Sequence, residues 1–79
     1  MNAGKRITVT GHSDSVGDAA TNQRLAQARA VAVVAYLASR GVDRTRMSAR
    51  GVGAAMPIAD NATEAGRRAN RRVEIAVSP

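Results

Sequence analysis

From Ile7 the chain alternates β-branched side chains, Ile7-Thr8-Val9-Thr10, and stops at Gly11. Alternation with period two predicts a strand. Residues 13–20, rich in Ser, Asp and Gly, predict a loop. A helix is predicted over Thr21–Arg40, with Asp18 or Thr21 supplying the N-cap oxygen. Along it Leu25, Ala28, Ala32 and Tyr36, with Val33 and Leu37, recur at spacings of three and four and predict one apolar stripe. Gly41 followed by Val42 predicts its end, the glycine left-handed and the valine folded back on the last turn. Met47–Val52 predicts a second strand, closed by Gly53. Strand, long helix, strand implies a right-handed crossover and parallel strands. Residues 54–62 carry Pro57 and Asn61 and predict a loop. Thr63–Asn70 predicts a short helix weakened by Gly66. Arg72–Val77 alternates with Val73, Ile75 and Val77 on one face and predicts the last strand. The element order is βαβαβ, an α/β (α+β) class. Ala30–Ala38 is apolar nearly all round, so that stretch is either covered on two sides or tolerates exposure through its small alanines.

Composition complicates this picture. The chain has 79 residues, enough for one small domain over residues 1–79. It is 44% hydrophobic, but 17 of those residues are alanine, and Leu, Ile and Val number only 14, with no Phe. That share sits below the rough cutoff of about 20% at which high net charge indicates disorder. The regular patterning overrules the bulk count. No Cys excludes a disulfide framework and thiolate metal sites, and a single His excludes a multi-His metal site within one chain, so no metal or cofactor is expected. The longest apolar run, nine residues, falls far short of the roughly 20 that span a membrane. The basic start is followed by only a short strand-like stretch, so no signal peptide is expected. Net charge +6 points to an anionic or carboxylate-bearing partner.

Chemistry concentrates in the loop Gly11-His12-Ser13-Asp14-Ser15-Val16-Gly17. It follows the C-terminal end of a parallel strand, the edge where open α/β sheets hold ligands. The plain reading of Asp14 is an Asx-turn or a helix cap. The loop lacks the spacing and lysine of a phosphate-binding loop and the three-glycine dinucleotide pattern. Arg29 lies about 11 Å along the helix from Asn22. Its alanine-rich surroundings leave it room to reach back toward the loop. An Asp and an Arg facing one pocket suit a zwitterionic amino acid: the Asp takes the ammonium and the Arg takes the carboxylate through two parallel hydrogen bonds. His12 reads as a structural strand-end residue. Arg67, Arg68, Arg71 and Arg72 read as a solvated helix end or as an anion contact.

Together these segments resemble the OmpA-like domain, the peptidoglycan-binding module of outer-membrane protein A, peptidoglycan-associated lipoprotein and the flagellar stator protein. The matching residues are Gly11-His12-Ser13-Asp14 through Gly17, Asn22 through Ala30, Tyr36-Leu37 and Gly41-Val42. They continue through Arg50 to Gly53, Pro57 to Asn61, and Asn70 to Glu74. The resemblance implies a non-catalytic anchor that binds peptidoglycan through diaminopimelate of the stem peptide, at the periplasmic face of the bacterial envelope. Its key Asp and Arg fall on Asp14 and Arg29. Asn22 matches the motif asparagine, which hydrogen-bonds the ligand or braces the loop, and Arg71 the first Arg of the terminal motif, lining the same pocket. Ser13 stands where many members carry Thr. The resemblance also implies a βαβαβαβ fold with a mixed sheet, of which this chain matches the last five elements. The expectation is an N-terminally truncated domain, with an exposed sheet edge and helix face that pair with a second copy. The competing reading is a basic nucleic-acid-binding domain. It rests on net charge alone, without a helix-turn-helix or a base-stacking aromatic set. A small hydrolase using Asp14 and His12 would lack a nucleophile.

Overall fold

A computed structural model describes residues 5–55 and 57–78. Strand β1 spans Arg6–His12, helix α1 Ala19–Ser39, strand β2 Met47–Gly53, helix α2 Glu64–Asn70 and strand β3 Val73–Ser78, with a 3-10 turn at Arg44–Arg46. β1 is the central strand of a mixed sheet of order β2-β1-β3, parallel to β2 and antiparallel to β3. The expected βαβαβ order and mixed sheet are both present.

Local chemistry fixes the ends of α1. Asp18 is the N-cap, its carboxylate accepting from Thr21 N–H at 2.9 Å, so the helix begins two residues before the expected start. At the other end Gly41 has φ +99, Gly41 N–H donates to Ala38 O at 3.1 Å, and Val42 N–H donates to Leu37 O at 3.1 Å. That is the Schellman arrangement expected of Gly-Val, and Val42 packs on the core.

The stripe on α1 is only partly the one expected: Val33 and Leu37 face the core, the other four residues do not. Ala26, Ala30 and Val34 are buried, with Val33, Leu37 and Ala38 packed beside them, against Val9 and Met47 of the sheet. Leu25, Ala28, Ala32 and Tyr36 face solvent. A helix with apolar residues on most of its circumference satisfies the three-four spacing on two opposite faces, and close packing on the sheet selects the face with smaller side chains. Ala30–Ala38 is accordingly covered on one side only.

Two glycines set how closely α1 sits. Gly11 and Gly51 are register partners on β1 and β2. A Cβ on Gly11 would lie 1.9 Å from the carbonyl oxygen of Ala26, and one on Gly51 would lie 2.5 Å from the backbone nitrogen of Gln27. The helix backbone rests directly on that pair. Gln27 then donates to Ala49 O at 3.4 Å and accepts from Gly51 N–H at 2.7 Å. Those are the contacts a residue of a parallel neighbouring strand would make, and Gln23 adds a donor to Gly51 O. The outer edge of β2 is thereby blunted by side-chain amides.

β3 is differently placed. Val77 faces Ile7 and Ile75 faces Val9 across the ladder, which puts them on the face that carries the core. Yet α1 lies over β1 and β2, so Ile75 and Val77 remain more than half exposed while Val73 packs at the margin of the core.

Candidate functional site

The site forms where β1 ends. The ladder to β2 slips after Gly11, His12 aligning with Gly53 so that Val52 is the extra residue of a bulge. A bulge re-aims the chain that follows it. Ser13 N–H then bonds to Gly53 O at 2.9 Å and the chain turns away from the sheet carrying Asp14.

Both oxygens of Asp14 are engaged. Oδ1 accepts from Val16 N–H at 3.1 Å, which is the expected Asx-turn. Oδ2 accepts from Arg71 Nη1 at 2.6 Å. The residue is only 8% exposed. The Arg71 hydrogen bond, and then the Val16 N–H, hold its carboxyl below the usual aspartate range. Asp14 is thus an ionised carboxylate at the mouth of a strand-end loop.

The other expected residues gather here with different contacts. Asn22, one turn into α1, donates from Nδ2 to Val16 O at 2.8 Å and to Asp14 O at 3.4 Å, closing the loop onto the helix. Arg29 reaches back as expected, with Nη1 3.5 Å from the carbonyl oxygen of His12, two residues before Asp14. The ion-pair partner of Asp14 is Arg71 rather than Arg29. A shallow cleft of about 330 Å³ opens beside the loop. Its walls are Ser15, Asn22 and Gln23 on one side and Val52 to Ala55 on the other; Asp14, Arg29 and Arg71 do not line it.

Beyond Arg71, sequence reasoning missed the residues that brace Asp14 from the α2 side. Arg71 also pairs with Glu64 at 3.0 Å, and Glu64 with Arg67 at 3.2 Å. Arg67 donates to the backbone oxygen of Asn61 at 2.9 Å. The side-chain oxygen of Asn61 accepts from Ser15 N–H at 3.3 Å, which returns to the neighbour of Asp14. Asn70, fully buried, donates to that same oxygen at 2.9 Å and accepts from Ile58 and Ala59 N–H. Thr63, the N-cap of α2, and Gly66, whose Cβ would lie 1.8 Å from Asp60 O, fit the short helix tightly against this loop. The expected weakening by Gly66 is therefore offset by a close contact no other residue allows. The signal in sequence was the asparagine pair Asn61 and Asn70 on either side of Thr63: Asn70 bonds Asn61 locally, and Asn61 bonds Ser15, 46 positions away.

Under the loop, His12 is 2% exposed and both ring nitrogens are buried without a hydrogen bond. Its Nε2 lies 3.7 Å from Glu74, which pairs with Arg72 at 2.6 Å. Burial first, then the charges of Arg72 and Arg50, push its pKa down, against the opposing pull of Glu74. His12 thus lies buried at the end of β1, the strand-end position the sequence indicated. Among the described residues no cluster of three potential metal ligands occurs, and no helix is long and apolar enough to cross a membrane.

Comparison with known proteins gives the family. The family model described as the OmpA family matches residues 1–71, and the chain belongs to that family. Outer membrane porin F of Pseudomonas fluorescens is 52% identical over 71 residues, covering 90% of this chain and 22% of the porin. Peptidoglycan-binding protein ArfA of Mycobacterium tuberculosis is 44% identical over 73 residues, covering 92% of this chain and 22% of ArfA. The crystal structure of the peptidoglycan-associated lipoprotein from Burkholderia pseudomallei matches with a TM-score of 0.89 at 32% identity, covering 94% of this chain and 63% of that one. The chain spans about a fifth of the length of the two curated relatives.

Proposed function

We propose that this domain binds peptidoglycan without chemical change and anchors its parent protein to the cell wall from the periplasmic side. The ligand moiety is the free zwitterionic end of diaminopimelate in the stem peptide. The observation that carries this reading is a nearly buried, ionised Asp14 at the C-terminal end of the central strand, with Arg29 directed to the same strand end. Asp14 takes the ligand ammonium and Arg29 its carboxylate. Asn22 fixes the loop that presents Asp14, and Arg71, the fourth residue of the proposed site, holds Asp14 ionised in the free domain. Family membership supports a wall-binding role, as do the names of ArfA and the lipoprotein. The uncovered Ile75 and Val77 on edge strand β3 support a further proposal, that free domains pair with a second copy.

Co-sedimentation with insoluble sacculi tests the site. Asp14→Ala and Arg29→Ala each remove one half of a charged recognition pair and weaken retention about thirtyfold or more, with the circular-dichroism spectrum preserved. Equal retention of both variants and the unaltered domain would exclude this pocket.

A further inference from the structure

The contacts around Asp14 close into a ring: Asp14, Arg71, Glu64, Arg67, Asn61, Ser15, and back through one peptide bond to Asp14. Asn61 enters the ring twice, through its backbone oxygen and its side-chain oxygen. We propose that Asn61 is a positioning residue for ligand capture, whose side-chain oxygen keeps the Asp14 loop in place when a ligand cation draws the carboxylate away from Arg71. This inference rests on the reading of Asp14 as the ammonium acceptor.

The argument is one of competing tethers. Asn22 ties the loop to α1, and on the α2 side the loop is held at two neighbouring residues in the free domain. Asp14 is held through its carboxylate by Arg71 at 2.6 Å, and Ser15 through its N–H by Asn61 at 3.3 Å. A ligand ammonium that binds Asp14 competes for the oxygen Arg71 occupies. The first tether therefore weakens when the site fills. The second joins Ser15 N–H to Asn61 and uses neither oxygen of the Asp14 carboxylate, so a cation bound there does not compete for it. Its acceptor is rigid, because Asn70, fully buried, donates to that oxygen at 2.9 Å. Asn70 itself is locked by Ile58 N–H at 2.8 Å, Ala59 N–H at 3.1 Å and Ala59 O at 3.0 Å. The buried amide thus sets the position of Asn61, and Asn61 holds the loop from the α2 side. Order in the bound state depends on Asn61 more than order in the free state does, since there Arg71 shares the task.

The test compares Asn61→Ala with Asn61→Asp. The aspartate keeps an oxygen for both Ser15 and Asn70; the alanine keeps none. Retention on diaminopimelate-containing sacculi is expected to fall about tenfold in Asn61→Ala, with the melting temperature lowered by about 10 °C because Asn70 loses a partner, and both to recover in Asn61→Asp. Amide exchange at Ser15 reads the tether without any ligand: it quickens in Asn61→Ala and slows again in Asn61→Asp. Wild-type retention by Asn61→Ala, no rescue by aspartate, or Ser15 exchange indifferent to both changes would overturn the proposal. A wild-type domain that ignores sacculi sinks the functional reading instead, and the Ser15 exchange result still decides whether the tether exists.

Discussion

Asp14 is an Asx-turn residue and an ion-paired carboxylate at once, one oxygen for each role. The bland and the functional readings of the residue are therefore not alternatives. The turn was legible because it needs only Asp14 and the next two residues. Asn22 was legible for the same reason, lying eight positions along the chain in a helix that folds back on the loop. Glu64, Arg67 and Asn61 were not, because what makes them matter is an approach from a distant part of the chain that no local pattern records. His12 gives a prediction at this scale. Its folded pKa lies below the ordinary value of about 6.5, so the unfolded chain takes up the proton first. Stability is then complete above that pH and falls as pH drops below it. Proton NMR of the imidazole should show a midpoint under 6.5, with the melting temperature declining from pH 7.5 to 5.5; a midpoint at or above the ordinary value would contradict the burial argument. Below about pH 4 a second loss sets in, as Asp14, Glu64 and Glu74, all held below their usual range by arginine partners, take up protons.

Helix α1 shows where periodicity stops informing. Apolar spacing located the helix and its Gly-Val end, but the same spacing fits two faces, and of the expected stripe only Val33 and Leu37 lie inward. The deciding fact is tertiary: Gly11 and Gly51 lie under Ala26 and Gln27 with no room for a methyl group. Those glycines read in sequence as a loop start and a strand residue. In the fold they allow the contact that brings Asn22 and Arg29 to the end of β1. Gly51→Ala is expected to cost about 2 kcal/mol by overpacking, lowering the melting temperature by about 10 °C. Calorimetric melting of the variant checks this, and a melting temperature within about 2 °C of the parent would mean that α1 lies farther from the sheet.

As a whole the molecule is one-sided. A single long helix covers two of three strands, and Ile75, Val77, Leu25 and Tyr36 remain exposed. The shortage of large aliphatics in the sequence corresponds to this: among the described residues Val9, Ala26, Ala30, Val34 and Met47 are the buried apolar side chains, and the other apolar residues are margin or exposed. The proposed pairing through β3 predicts sedimentation at twice the 8.2 kDa of one chain at micromolar concentration. Replacing Ile75 and Val77 by lysine should return the domain to monomer, and a monomer at all concentrations before any substitution would dismiss the pairing. Net charge +6 is the sole support for a nucleic-acid partner, and three of the arginines behind it, Arg67, Arg71 and Arg72, are paired with Glu64, Asp14 and Glu74.

The central claim is that the site reads both charges of one amino-acid end. A wall whose stem peptide carries lysine presents the ammonium without the carboxylate, and so leaves Arg29 without its partner. Parallel co-sedimentation with diaminopimelate-type and lysine-type sacculi measures that difference directly. Retention by the first and roughly thirtyfold weaker retention by the second is the predicted result. Equal retention by the two walls would contradict it.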